Sequence, residues 1–158
     1  MLTRRFRCRE CKYVFDAHFG TGIRELPWLY QEIVTSIRKG VYGTEWKQLF
    51  KTRPGIAVNV GRDIYVCPHC RHFEEKFDLC LYEPMIFPGD PEAAQKLKAA
   101  AERKFVPPDP DLDQDYRKIR TYEHKCPKCR NIMRRYGEGY RLRCPQCRKE
   151  WLHMTSRK

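Results

Sequence analysis

The sequence has no long apolar segment and no familiar catalytic motif. No run approaches the roughly 18 apolar residues of a membrane span, and residues 1–5 lead into no apolar stretch like that of a signal peptide. The chain also lacks HExxH, GxSxG, a Walker loop and GxGxxG. These absences predict a cytoplasmic protein without a membrane segment, and nothing in the sequence argues for an enzyme.

Cysteine, in contrast, is abundant and regularly placed. Eight of the nine cysteines form four C-x2-C pairs, which in a cytosolic setting indicates metal binding and not disulfides. Four thiolates fill the tetrahedron of a Zn²⁺ ion and leave no open position, so the sequence predicts two structural zinc ions, with iron as the alternative metal. The predicted ligands are Cys8, Cys11, Cys67, Cys70, Cys126, Cys129, Cys144 and Cys147.

Four pairs can form two sites in three ways, and the spacing favours pairing between neighbours. Fourteen residues separate Cys129 from Cys144. They read as a hairpin with its tip at 137–139, because apolar residues lead to the tip and residues 140–143 alternate between apolar and polar on the way back. This is the signature of a zinc ribbon, a small zinc finger. We therefore expect Cys126/Cys129 to share a metal with Cys144/Cys147, and Cys8/Cys11 with Cys67/Cys70, because each site then closes its own sheet.

The 55 residues between Cys11 and Cys67 exceed what a hairpin needs, so a folded insertion is expected there. Apolar residues at Leu26, Tyr30, Ile33 and Ile37 predict an amphipathic helix that ends near Gly40, and a shorter helix should carry Trp46. The predicted fold class is α+β, with two small zinc-ribbon modules. Its predicted domains are a split ribbon over 1–83 with an insertion at about 19–53, a helical and Pro-rich linker over 84–116, and a C-terminal ribbon over 117–158 that should fold alone with metal.

Further local patterns give finer predictions. A tight hairpin is expected at Gly61-Arg62, and residues 79–82 should add a strand to the first ribbon. Asp90 should cap a helix over 92–104, and a short helix should follow through Leu112, Tyr116 and Ile119. Cys80 is interpreted as a buried thiol that binds no metal. His69 and His72 lie close enough to a cysteine pair to replace a ligand, but four thiolates make that unnecessary.

Positive charge is concentrated near the two ends of the chain. The formal net charge is +12, with +4 in residues 1–12, +11 in residues 117–158 and −3 between them. Ionised cysteines around two zinc ions would lower the total to about +8. This asymmetry indicates a polyanionic partner, with solubility alone as the competing explanation.

Two functions fit these features. The first is binding of DNA or RNA, because basic grooves with interleaved aromatic rings suit phosphates and unpaired bases. The predicted contact residues are Arg4, Arg5, Arg7, Arg9, Arg134, Arg135, Tyr136, Tyr140, Arg141 and Arg143. The alternative is a protein–protein adaptor in which the ribbons are rigid platforms and the inserted helices present the partner surface.

The order of these elements resembles a group of small uncharacterised bacterial proteins with a split N-terminal zinc ribbon and a C-terminal zinc ribbon. The resemblance rests on Cys8-x2-Cys11, the 19–22 turn, the helical insertion, Tyr65-Val66-Cys67-x2-Cys70, residues 78–82 and the last two cysteine pairs. Cys80 stands where that pattern has a small polar residue. The resemblance implies two zinc-bearing modules and no particular activity.

Overall fold

The computed structural model describes residues 2–20, 26–86, 89–102 and 116–155. In chain order these residues form nine strands and three helices: β1 Leu2–Arg7, β2 Val14–Phe19, α1 Leu26–Arg38, α2 Thr44–Thr52, β3 Ala57–Val58, β4 Arg62–Val66, β5 Phe73–Phe77, β6 Leu81–Pro84, α3 Ala93–Glu102, β7 Tyr116–Arg120, β8 Arg134–Arg135 and β9 His153–Thr155. No helix within these ranges combines the length and the apolar character that crossing a membrane requires. The fold class is therefore α+β, as the sequence predicts.

The chain forms two compact units, each assembled from separated stretches. The cysteine unit comprises Met1–Gly20, Arg62–Asp78 and Glu123–Lys158. The helical unit comprises Thr21–Gly61 and Leu79–Tyr122. The predicted boundaries divide the chain into consecutive segments, whereas these two units interleave along it.

Two antiparallel three-stranded sheets build the cysteine unit. One has the order β2-β1-β9 and the other β5-β4-β8. β1 and β2 flank the first cysteine pair with Arg7 opposite Val14, and β4 and β5 flank the second with Val66 opposite Phe73. Each of the first two cysteine pairs thus lies in a turn between two antiparallel strands. The expectation that these two pairs close one shared sheet is wrong, because β1 pairs with β2 and β9, whereas β4 pairs with β5 and β8.

The segment between Cys129 and Cys144 is not a hairpin. β8 pairs with β4, with Val66 opposite Arg134, and residues 136–138 form a single 3₁₀ turn. The alternating apolar residues that suggested a hairpin are buried in different places. Met133 packs with Tyr65 and Cys67, whereas Leu142 belongs to a second cluster around Phe6 and Ile64. The alternation reflects two separate cores and not one hairpin face.

β4 links these two cores because successive side chains of a strand point to opposite faces. Ile64 and Val66 enter the cluster that holds Cys8 and Cys144, and Tyr65 enters the cluster that holds Cys67 and Cys126. One strand therefore supports both groups of cysteines.

The helical unit confirms the predicted helices and corrects three other local predictions. α1 buries Tyr30, Ile33 and Ile37 and is followed by Gly40, whose φ of 85° suits a residue without a Cβ. β6 belongs here, in the sheet β3-β6-β7, and not to the first ribbon. β3 pairs with β6, so no hairpin forms at Gly61-Arg62, and Tyr116–Arg120 is a strand where a helix was expected.

The acidic cap of α3 is also confirmed, since the backbone N–H of Glu92 donates to Asp90 Oδ1 over 2.9 Å. Some predictions lie outside the described residues. These are the turn at 21–22, the end of the helix at 103–104, the Pro-rich break at 106–111 and the helical position of Leu112.

Within the helical unit, Trp46 donates a hydrogen bond to Leu79, a residue with an unusual backbone conformation. Leu79 has a left-handed φ of 61°, which is costly for a bulky residue. The indole N–H of Trp46, a residue only 7% exposed, donates to the Leu79 carbonyl over 2.9 Å. The N–H of Leu79 donates to the Asn59 carbonyl over 2.8 Å. Beside it, Cys80 is buried, and burial raises the pKa of its thiol.

Replacing Trp46 by Phe should therefore destabilise the protein by about 2–4 kcal/mol, since it leaves a buried carbonyl without its donor and removes packed volume. Trp28, which is 70% exposed, provides the matched control, and Trp28→Phe should change stability by less than about 0.5 kcal/mol. Chemical denaturation of both variants measures the difference. Equal effects would contradict the role assigned to the Trp46 hydrogen bond.

Candidate functional site: two metal centres and a basic cleft

The eight paired cysteines come together in two groups that can each hold a metal ion. The outer cluster contains Cys8, Cys11, Cys144 and Cys147, and the inner cluster contains Cys67, Cys70, Cys126 and Cys129. Within each group the four sulfur atoms lie within 4.8 Å of one another. All of these cysteines are free thiols.

The sulfur–sulfur distances fit a tetrahedral ion. Metal–thiolate bonds of about 2.3 Å place the sulfurs of a tetrahedron about 3.8 Å apart, whereas a disulfide brings them to about 2 Å. In the outer cluster, Cys8 lies 3.7 Å from Cys147 and Cys11 lies 3.5 Å from Cys144. In the inner cluster the corresponding distances are 3.3 Å for Cys67–Cys129 and 3.5 Å for Cys70–Cys126. Either cluster can take an ion with only small side-chain adjustments.

The predicted pairing of neighbouring cysteines is wrong. The first pair joins the fourth, and the second joins the third. Strand pairing explains this nested order, because β1 leads into the first pair and lies beside β9, which follows the fourth. Likewise, β4 leads into the second pair and lies beside β8, which follows the third. Residues 117–158 therefore supply only half of each ligand set and form no complete site alone.

All four cysteine turns share one backbone geometry. In three of them the N–H of the first cysteine donates to the carbonyl five residues later, as from Cys67 to His72 over 2.7 Å. In each turn the residue after the second cysteine has a left-handed backbone. These residues are Lys12, Arg71, Arg130 and Arg148, with φ values of 64°, 66°, 65° and 59°. Each turn thus fixes a cationic residue next to its thiols at a position that costs about 1 kcal/mol for a side chain with a Cβ.

The thiols need a cation before all of them can ionise. The backbone N–H of Tyr13 favours the Cys11 thiolate, but burial and the three neighbouring thiols outweigh it and raise the pKa of Cys11 to about 11. The pKa of Cys70 is raised in the same way to about 12, against a hydrogen bond from the His72 backbone. Four adjacent negative charges would repel one another strongly, so a bound metal ion is what makes the full set of thiolates stable.

Two thiols are already favoured as thiolates. The side chain and backbone N–H groups of Asn131 lower the pKa of Cys129 to about 6, and Asn131 Nδ2 lies 3.2 Å from the Cys129 sulfur. Backbone N–H groups of Lys149 and Glu150 lower the pKa of Cys147 to about 6. Each cluster therefore offers one thiolate near neutral pH to start metal binding, and the other thiols must lose protons as the ion enters.

Both clusters are closed sites. Four thiolates complete the coordination of a tetrahedral ion, so neither site has a place for water or substrate. His69 and His72 belong to neither cluster, and no further group of metal-binding side chains occurs in the part of the chain that the structure describes. A metal ion held by all four thiolates would therefore have a structural role.

The predicted nucleic-acid contacts differ in their surroundings. Arg5 pairs with Asp16 over 2.8 Å, and Arg135 pairs with Asp63 over 3.2 Å and with the buried Asp78. The rings of Tyr136 and Phe6 meet edge to face at 5.5 Å. Tyr140 is half-buried against the same core. The others are mainly exposed, and within the described residues none has a carboxylate within ion-pair distance: Arg4, Arg7, Arg9, Arg134, Arg141 and Arg143.

Sequence reasoning did not identify an arginine cluster around Trp151. The guanidinium carbons of Arg141, Arg143 and Arg71 lie 4.9, 5.3 and 5.8 Å from the centre of this indole ring. Arg71 comes from the second cysteine turn, far from the other two in the chain. The only available signal was that every C-x2-C pair is followed directly by Lys or Arg.

A cleft of about 860 Å³ adjoins this cluster within the cysteine unit. Its lining includes Cys70 of the inner cluster and Cys144 of the outer cluster, so both metal centres border it. We call this the basic cleft, because four unpaired cationic side chains line it: Arg71, Lys128, Arg143 and Arg148.

Comparison of the chain with protein-family models, with curated proteins and with solved structures found no match. The resemblance to bacterial two-ribbon proteins thus has no support beyond the presence of two four-cysteine clusters.

The nested pairing can be tested by removing two ligands at a time. Cys8→Ser with Cys144→Ser damages only the outer cluster, so the protein should retain one of its two metal ions. Cys8→Ser with Cys67→Ser damages both clusters and should lose both ions. Neighbour pairing predicts the reverse for the two double variants. Native mass spectrometry counts the bound metal, and Cys80→Ser should retain both ions.

Proposed function

We propose that this protein binds nucleic acid through its cysteine unit and that two structural zinc ions hold that unit together. Zinc suits both clusters because it accepts four thiolates in a tetrahedron and brings no redox chemistry of its own. A metal that only organises the surrounding chain agrees with the closed geometry of the two sites.

The observation that carries the nucleic-acid proposal is the arrangement of Arg71, Arg141 and Arg143 around Trp151. None of the three has a carboxylate within ion-pair distance among the described residues. Each guanidinium gains about 0.5–1 kcal/mol from its contact with the ring, but three like charges beside one ring also repel one another, and solubility alone does not require them to converge. A cluster of guanidinium groups on an aromatic side chain offers phosphate contacts and a stacking surface together, which is the combination found in sites for single strands.

The charge distribution supports the same proposal. The cysteine unit contains 19 Lys and Arg residues against nine Asp and Glu, a net charge of +10 before metal binding. With eight thiolates and two divalent ions the net charge falls to about +6. The helical unit has a formal net charge of only +2. Positive charge is thus concentrated in the unit that holds the metal clusters, and this favours a polyanion as its ligand.

Removing Arg134 and Arg141 together should weaken this binding without disturbing the fold, since both side chains are exposed and neither is a metal ligand. Each lost phosphate contact should reduce the slope of log K against log salt by about 0.7–0.9. The measurement is a titration of single- and double-stranded DNA and RNA at several salt concentrations.

The matched control removes the same amount of charge from the helical unit. Lys47 and Lys98 are both exposed, and replacing them by Ala should leave the salt dependence unchanged. Equal slopes for the parent and the Arg134/Arg141 variant would mean that these charges act only in solubility. Absence of any binding by the metal-loaded parent would overturn the proposal.

The helical unit favours the adaptor as a second candidate function. Two of its large apolar side chains are mainly exposed, with Trp28 at 70% and Val41 at 66%. Exposed apolar residues of this size occur at protein–protein contacts. If nucleic acid does not bind, the surface between residues 26 and 51 is the place to look for a protein partner.

A further inference from the structure

Four cationic side chains that line the basic cleft have no anionic partners among the described residues. Arg71, Lys128, Arg143 and Arg148 all line it, and none lies within ion-pair distance of a carboxylate in the described ranges. Arg71 and Arg148 are the left-handed residues that follow the last cysteine of the second and fourth turns. The inner cluster therefore positions one of these cations and the outer cluster the other.

The carboxylates that line the cleft do not form ion pairs with these four cations, because each pairs with another residue. Asp16 pairs with Arg5 over 2.8 Å, Glu74 with Lys76 over 3.1 Å and Glu75 with His18 over 3.1 Å. The cationic and anionic side chains that line the cavity are therefore not paired with one another. Both remain available to a ligand that offers an anion together with hydrogen-bond donors.

Aromatic side chains provide the third feature of the cleft. Tyr13, Phe15 and Phe73 line it and are half-buried. The rings of Phe15 and Phe73 meet at 5.3 Å with an angle of 62°, which fixes both of them against the core below. Ring surface that remains accessible in a cleft of this kind can stack on a planar heterocycle.

We propose that the basic cleft binds one unpaired nucleotide of a single strand. This inference rests on the proposed function and assigns a site to it. The phosphate contacts Arg71 and Arg148, and the base packs against the ring of Phe73. Carboxylates retain free lone pairs after one hydrogen bond, so those that line the cleft accept from base N–H groups and repel a second phosphate. The volume lies in the range of about 300–1,000 Å³ usual for small-ligand sites.

A duplex should be excluded from this site, because its bases are paired and stacked and cannot enter a cleft singly. Single strands of DNA and RNA should both fit, since Arg71 and Arg148 contact only the phosphate and Phe73 contacts only the base. A free nucleoside monophosphate carries the same two groups and should compete for the cleft, whereas inorganic phosphate lacks the base and should compete much less.

The four cysteine turns provide matched control variants for testing the cations that line the cleft. Arg71→Gln with Arg148→Gln removes one left-handed cation from each metal cluster, and both of these residues line the cleft. Lys12→Gln with Arg130→Gln removes the other left-handed cation from each cluster, and neither lines it. The first variant should bind a short single-stranded oligonucleotide at least about tenfold more weakly, and the second should stay within about threefold of the parent.

Strand β5 provides the control for the aromatic surface. Phe73→Leu should weaken single-strand binding by roughly tenfold and change duplex binding less, as expected for loss of one stacked base. Phe77→Leu alters the same strand at a residue that does not line the cleft, and it should leave both affinities unchanged. Each variant must retain two metal ions and the melting temperature of its control, which establishes that the clusters remain assembled.

The probes are a mixed-sequence single strand of DNA or RNA, its duplex, adenosine monophosphate and inorganic phosphate. Equal single-strand binding by the two double variants would overturn the cleft assignment and leave the proposed function intact. If the parent binds adenosine monophosphate through Arg71 and Arg148 but no oligonucleotide, the proposed function is wrong and the cleft is a site for free nucleotides. If it binds neither, both proposals fail.

Discussion

The cysteine unit depends on the convergence of four thiols at each of two points. Its sheets are small, with only two residues in β8 and three in β9, so they contribute little stability of their own. Within the clusters the thiols lie at distances that suit a common ion, and the raised pKa values of Cys11 and Cys70 indicate that full ionisation requires one. A structural metal of this type contributes on the order of 10–16 kcal/mol near neutral pH. That is comparable to or larger than the net stability of an ordinary domain, about 5–15 kcal/mol.

Spacing in the sequence does not decide the pairing, because two four-thiolate sites would gain the same metal–thiolate bonds with either pairing. Neighbour pairing closes a loop of 14 residues between Cys129 and Cys144, whereas the outer cluster spans the 132 residues between Cys11 and Cys144. Loop-closure entropy grows only logarithmically, so the longer loop costs about 2 kcal/mol more. Strand pairing that brings β1 beside β9 and β4 beside β8 can offset such a difference. The lower loop-closure cost of neighbouring cysteine pairs is therefore too small to predict which pairs share a metal ion.

Local features of the fold were predictable, and long-range ones were not. The eight ligands, the strands around the first two cysteine pairs, the amphipathic stripe of α1 and the Asp90 cap of α3 each depend on residues close in sequence. The alternation around Met133 and Leu142 has the same appearance in a hairpin and in a segment that enters two cores. The sequence also does not show which arginines are paired with a carboxylate. Arg134 and Arg135 are adjacent, yet of the two only Arg135 forms ion pairs within the described residues, with Asp63 and with Asp78, which is 57 positions away.

The left-handed residues connect the metal clusters to the proposed ligand. Glycine would occupy those four positions at the lowest conformational cost, yet every one is Lys or Arg. Charges that serve only solubility can occupy any exposed site without backbone strain, so solubility alone does not account for these four positions. A divalent ion with four thiolates has a formal charge of −2, and each cluster has two such cations beside it. Lys12 and Arg130 lie beside the thiols and do not line the basic cleft, whereas Arg71 and Arg148 lie beside the thiols and also line it. Two of the cysteine turns thus place positive charge at the cleft in which we propose that a phosphate binds.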